Sequence, residues 1–219
     1  MKTLVIIPAR KGSKRLKKKN LKIINKKPLV QLTIEFALKL FEGNNILLST
    51  NCKKIIKIGK KLGILAPWIR PKNLSNDKSS SESVVIHALK WYQKKIQKVD
   101  CLILLQPTTP FRNIKNLLKG IEIFEKNKSF SIISVKEVKK NKFFLKKKKN
   151  ILKNHKNLFI PNGSFYMINP KNLLKYKTFY TKKIKGILIK NIEENIDIDT
   201  HQDFLRANEI VKKNKFVQN

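Results

Sequence analysis

The sequence predicts an α/β fold in which helices wrap a mostly parallel sheet, and three observations predict it. Short apolar runs recur at Leu4–Pro8, Asn45–Thr50, Cys101–Gln106 and Ser131–Val135. Segments of helical spacing at about 28–42, 52–62, 80–97 and 113–127 separate or follow them. The first three runs also end in polar, turn-like stretches, namely the loop after Pro8, Ser49–Thr50–Asn51 and Gln106–Pro107–Thr108–Thr109–Pro110. Open sheets of this class bind ligands beyond the carboxyl ends of their strands, where strand order reverses. Those three turns are therefore the first places to look for chemistry.

Taken in order, residues 2–8 are too short to span a membrane and lack the regions of a signal peptide, so they read as a buried first strand. The loop behind it carries Arg10, Gly12, Ser13, Lys14 and Lys19. That set reads as a phosphate cradle, with Gly12 admitting an anion to backbone N–H groups and the lysines supplying aimed charge. It is neither a P-loop nor the dinucleotide fingerprint, and an ordinary solvated turn in a lysine-rich chain is the competing reading. Arg70 and Pro71 precede a hydroxyl-rich stretch whose Ser79, Ser80 and Ser81 fall at a helix start, where they would hold an anion or simply cap the helix. Gln106 precedes a turn stiffened by Pro107 and Pro110, in which Thr108 or Thr109 is expected to cap the next helix.

From about 136 to 160 lysine runs with few acidic partners predict an inserted hairpin or lobe, because like charges in a block repel. The sheet is expected to resume near Gly163–Ile168 and to end at Lys185–Lys190. Asp197 and Asp199 alternate with Ile196 and Ile198, so an extended backbone puts both carboxylates on one face. Such a pair suits Mg²⁺, which takes one or two carboxylates plus water and substrate phosphates. A solvated acidic edge, or Asp199 serving as a helix cap, is the plainer alternative. Thr200 opens a last helical stretch to Val211 as its N-cap.

A length of 219 residues with 41% hydrophobic content fits one domain with an ample core. The formal charge of +36 would ordinarily point to nucleic acid or an anionic membrane. Only five of the 50 cations are arginine, however, and nucleic-acid surfaces rely on arginine for bidentate and stacking contacts. Abundant Lys, Asn and Ile, all A/T-rich codons, read instead as compositional drift, leaving a non-catalytic polyanion-binding protein as the alternative of a different class. Cys52 and Cys101 have no metal-like or disulfide-like spacing and suit a reducing cytoplasm. No apolar run is long enough for a membrane span.

With these motifs in place the chain resembles the acylneuraminate cytidylyltransferase family nearly end to end. The likeness rests on IPARKGSKRLKKKN, on Arg70–Asp77 as RPxxLSxD, on LLQPTTPFR at 104–112, on PNGSFY at 161–166 and on IDIDTHQDF at 196–204. It implies a Rossmann-like domain over 1–219 with a small dimerisation lobe near 136–160, a homodimer, and CTP with Mg²⁺. It also implies attack of a nonulosonic acid's anomeric hydroxyl on the α-phosphorus of CTP, releasing pyrophosphate; activation of an eight-carbon keto-deoxy sugar acid is the nearest enzymatic alternative. By position it assigns Arg10, Ser13, Lys14, Lys19, Asn20, Arg70 and Ser80 to the nucleotide, with Lys14 and Lys19 on the triphosphate. Gln106, Asn162 and Gly163 fall on the sugar side. Asp197 and Asp199 form the metal pair, Asp199 being also the residue to orient or deprotonate the attacking hydroxyl. The chain departs from the family pattern at Asn51, Arg15 and the Lys17–Lys18 pair. It also has Leu152, Lys153 and Ile160 where arginines would clamp the sugar carboxylate, leaving Lys153 or Lys156 as point-charge substitutes.

Overall fold

The computed structural model describes residues 1–138, 152–153 and 158–214. Its elements run β1 (Thr3–Pro8), the short hairpin β2 (Ile23–Ile24) and β3 (Lys27–Pro28), α1 (Leu29–Leu38), β4 (Ile46–Ser49), α2 (Lys53–Lys61) and α3 (Ser81–Lys95). Then come β5 (Cys101–Leu104), α4 (Ile114–Lys126), β6 (Ser131–Val138), β7 (Leu152–Lys153), β8 (Leu158–Ile168), α5 (Pro170–Tyr176), β9 (Ile184–Leu188) and α6 (His201–Asn214). The main sheet has the order β4-β1-β5-β8-β6-β9, with β7 also paired to β8. Strands β1, β4 and β5 are mutually parallel, as are β6 and β9.

Strand β8 is the exception, antiparallel to β5, β6 and β7. Its apolar run looks the same in either direction, so the sequence alone does not reveal the reversal. The ladders record it: β8 lies antiparallel between β6, paired as far as Val138 and Leu158, and β7, paired through Leu152 and Phe159. Most of the lobe expected near 136–160 lies outside the described residues.

Strand β1 is buried on both faces, which is why it reads as an unbroken apolar run. Leu4 and Ile6 pack with Val85, Leu89 and Tyr92 of α3, whereas Val5 and Ile7 join Val30 and Ile34 of α1 and Phe124 of α4. A third, smaller cluster decides where the functional residues sit. Leu16 from the basic loop, Ile24, Leu29, Phe111, Ile196, Ile198 and Ala207 pack together. Leu16 is 4% exposed and Ile198 is 0% exposed. Burying each such side chain is worth roughly 2 kcal/mol, more than the ~0–1 kcal/mol of an exposed ion pair. Apolar packing therefore brings the two ends of the chain together, and the charges follow.

The helix caps are specific. Asn113 caps α4 through Lys115 N, so neither Thr108 nor Thr109 performs the capping that the sequence suggests. Ser80 caps α3 by accepting from Ser83 N at 3.1 Å. At α6 the Thr200 hydroxyl accepts from Asp203 N while Oδ2 of Asp203 accepts from Thr200 N, a reciprocal cap that leaves the Asp199 side chain uncommitted to the helix.

Candidate active site

The chain runs from β1 to β4 on one side and then crosses, through α2 and α3, to β5 on the other side of β1. The reversal leaves a crevice beyond the carboxyl ends of β1 and β5. A cleft of about 170 Å³ lies there, floored by Pro8 and by Gln106, Pro107 and Thr108. Arg10, Lys19 and Asn20 form one wall, while Arg70, Leu74, Asn76 and Ser79–Ser81 form the other. Three cations line this cleft and no carboxylate does. Arg70 is 4% exposed; burial and then the charge of Arg10 lower its pKa to about 10, so it stays a cation at neutral pH. Two guanidiniums held within electrostatic reach of one another favour an anion between them.

The basic loop is fixed along its length. Asn51 Oδ1 accepts from Lys11 N at 2.7 Å, so this side chain anchors the loop backbone. Asn20 Nδ2 donates to the Arg10 carbonyl at 2.9 Å and closes the loop on itself. Lys18 occupies the left-handed region at φ 54°, a conformation glycine takes without penalty and lysine does not. Gly12 has open space around it, with nothing within 4 Å of a Cβ built there. Ser13 is half-buried on the same loop.

Four of the loop's cations meet a carboxylate beside the cleft. Lys19, only 13% exposed, contacts Asp199 at 2.7 Å, and Arg15 pairs with the other oxygen of the same carboxylate. Arg10 and Lys14 both reach Asp77, at 2.6 and 3.0 Å. Lys14, and then Arg10, hold the Asp77 carboxyl below its usual range. Lys14 itself is 81% exposed and stands outside the cleft lining. Asp77 closes the RPxxLSxD motif, but its pairing with Arg10 and Lys14 escapes a sequence reading because those partners lie more than sixty positions away.

The acidic couplet docks on the turn after β5. Ile198 N donates to the Thr108 carbonyl at 2.7 Å. The Asp197 side chain hydrogen-bonds Thr108, and protein packed around it raises its pKa, with the Asp199 charge raising it further. The two carboxylates thus share one electrostatic field next to Lys19. No cluster of three or more His, Cys, Asp or Glu exists among the described residues, so an all-protein metal cage is absent there. Two carboxylates alternating on one segment beside a cationic cleft fit instead a hard divalent cation that keeps waters and shares substrate oxygens.

The sugar-side residues form a second constellation. Gly163 is left-handed at φ 87°, and a Cβ there would stand 2.9 Å from Gln106 Oε1, so only glycine lets this turn approach the glutamine. Thr109 Oγ1 donates to the Gly163 carbonyl at 2.8 Å, pinning the two turns together. Asn162, 3% exposed, spends its amide on the Glu194 carbonyl and Asn195 Oδ1, and its oxygen accepts from Ser164 N. It is a strut beneath the turn. Ile160 is buried and paired with Lys136 in the ladder, and Lys156 lies outside the described residues.

Sheet, crevice and charge together define the class: an α/β protein with a cationic cleft at its switch point and a carboxylate pair at the rim. The family model described as Cytidylyltransferase matches residues 4–219, and the chain belongs to that family. It is 32% identical to the CMP-N,N'-diacetyllegionaminic acid synthase of Legionella pneumophila, over 98% of both chains. It is also 32% identical to a pseudaminic acid cytidylyltransferase of Campylobacter jejuni, again over 98% of each. Among solved structures, a CMP:2-keto-3-deoxy-manno-octonic acid synthetase complexed with CTP superposes with a TM-score of 0.73 at 15% identity, covering 97% of this chain and 99% of that one. At that identity the match is one of fold.

Proposed function

We propose that this protein transfers a cytidylyl group from CTP to the anomeric hydroxyl of a sialic-acid-like nonulosonic acid and releases pyrophosphate. The observation that carries the reading is the 2.7 Å contact between Lys19 and Asp199, which joins the basic loop and the acidic couplet at the mouth of one cationic cleft. In this reading Arg10 and Lys19 bind the triphosphate, Lys14 swings in from the rim, Arg70 and Ser80 take the base and ribose region, and Ser13 and Asn20 complete the nucleotide side. Gln106, held by the Asn162–Gly163 turn, faces the sugar. Asp197 and Asp199 would hold Mg²⁺, which supplies charge neutralisation on the triphosphate when bound. Asp199 stands ready to accept the proton of the attacking hydroxyl as the cations are drawn to phosphate. The paired stem of β6 and β8 supports a lobe near 136–160, through which we propose a homodimer. Among the described residues no helix is long and apolar enough to cross a membrane.

The test is pyrophosphate release from CTP with a panel of nine-carbon keto sugar acids and the eight-carbon acid. Release with a nine-carbon acid is expected. Release with the eight-carbon acid alone would replace the substrate assignment, and no release with any sugar would favour the polyanion-binding alternative.

Two substitutions probe the two sides of the cleft. Gln106→Ala should raise the sugar KM more than the CTP KM; the opposite pattern places Gln106 on the nucleotide. Asp77→Asn frees Arg10 and Lys14 from an internal competitor and should tighten CTP binding about two- to five-fold at low ionic strength, an exposed-pair effect that added salt diminishes. Weaker binding in a calorimetric titration would mean that Asp77 organises the loop for nucleotide rather than competing with it.

A further inference from the structure

Glu194 lies on the short turn Glu193–Asn195, three positions ahead of Asp197, yet it is 3% exposed. In the sequence this NIEEN stretch looks like solvated surface. In the structure the Glu194 carboxylate accepts from Asn113 N at 3.2 Å and from Asn116 Nδ2 at 2.9 and 3.1 Å, at the start of α4. The charge of Arg112 favours the ionised form while burial opposes it, and burial is the larger effect. Its main-chain carbonyl and the next side chain, Asn195, both accept from Asn162. Asn195 Nδ2 in turn donates to the carbonyls of Ile189 and Asn191. A buried carboxylate is a poor means of stabilising a turn, because removing charge from water is unfavourable and hydrogen bonds offset only part of the loss. What this one does is tie the segment entering the acidic couplet to α4 and to the glycine turn at 163.

We propose that Glu194 is a positioning residue: anchored by Asn116 and Asn113, it sets the register of residues 195–199 against the turn after β5, so that Asp197 and Asp199 meet cation and phosphate together. This rests on the cytidylyltransferase reading above. Groups that orient metal ligands commonly change metal affinity ten- to a hundred-fold when altered. A purely structural Glu194 would lower the melting temperature and leave metal affinity alone.

The experiment measures Mn²⁺ binding to the full chain with CTP present, by loss of the free-ion paramagnetic resonance signal, beside the Mg²⁺ half-saturation of pyrophosphate release. Glu194→Gln keeps the shape but sets an amide N–H₂ or a weaker acceptor against two donors. It should weaken Mn²⁺ binding about ten-fold, raise the Mg²⁺ half-saturation in parallel, and change metal-free CTP affinity less than two-fold. Asn116→Ala leaves every carboxylate in place and removes the side-chain anchor, leaving only the Asn113 N–H; it should shift metal affinity in the same direction, and it carries the test if Glu194→Gln fails to fold. Folded variants that bind Mn²⁺ as tightly as the parent overturn the proposal. A parent protein that neither releases pyrophosphate nor binds Mn²⁺ with CTP overturns the enzyme reading itself, a distinguishable result.

Discussion

Asp197→Asn and Asp199→Asn should each cut Mg²⁺-dependent turnover by roughly a thousand-fold, while the melting temperature stays close to that of the parent. The size follows from what a divalent cation contributes to a transferring phosphoryl group, several kcal/mol, at about 1.4 kcal/mol per factor of ten. The fold survives because the neighbours do the packing: Ile196 and Ile198 stay buried among Leu16, Phe111 and Ala207 whichever polar residue alternates with them. Asp199→Asn also weakens the hold on Lys19 and Arg15, so its effect on CTP affinity should be the difference between two opposing changes, less metal binding against freer cations. Steady-state rates across a Mg²⁺ titration, beside circular dichroism melts, read both effects. Near-parental rates in either variant would remove the couplet from the metal site.

Arg112→Ala is expected to be the most damaging single change to stability. The guanidinium is 3% exposed. It donates to the Ser164 carbonyl at 2.9 Å, to Thr33 Oγ1 at 3.1 Å and to the Gln106 carbonyl, and it lies over the Phe36 ring. Burial lowers its pKa to about 9, with the Glu194 charge acting the other way, so it remains protonated at neutral pH. Truncation removes three donated hydrogen bonds and the charge that favours an ionised Glu194. Removing one member of a buried charged set costs roughly 3–5 kcal/mol, which for a chain of this size is about 10 °C in Tm. Arg112→Lys should recover little, since one ammonium cannot meet three acceptors on separate segments. A thermal shift of only a degree or two for Arg112→Ala would mean that water takes over the acceptors and that the network is not the frame of the sugar-side turns.

The local pattern of the sequence carried far. Alternation of apolar runs with helical spacing identified the strands and helices that hold the crevice, and the Ile-Asp-Ile-Asp alternation correctly separated buried from outward side chains. Helix ends were less legible: Ser80 is the cap it resembled, whereas Asn113 takes the position expected of Thr108 or Thr109. The turn after β5 is instead committed to partners far along the chain, Asp197 and Ile198 to Thr108 and Gly163 to Thr109. No local signal encodes such commitments.

By itself the sequence determined the layered α/β class, the family, and which face of each element is apolar, because periodicity and turn chemistry are written within a few neighbouring residues. Tertiary structure alone decided that β8 runs backwards, that Asp77 answers Arg10 and Lys14, and that Glu194 is buried against the start of α4. It also decided that residues 180 positions apart, Lys19 and Asp199, share one site. Those outcomes depend on which distant surfaces fit one another, and here the small apolar cluster around Leu16 and Ile198 made the choice, with the charges taking up the positions it left them.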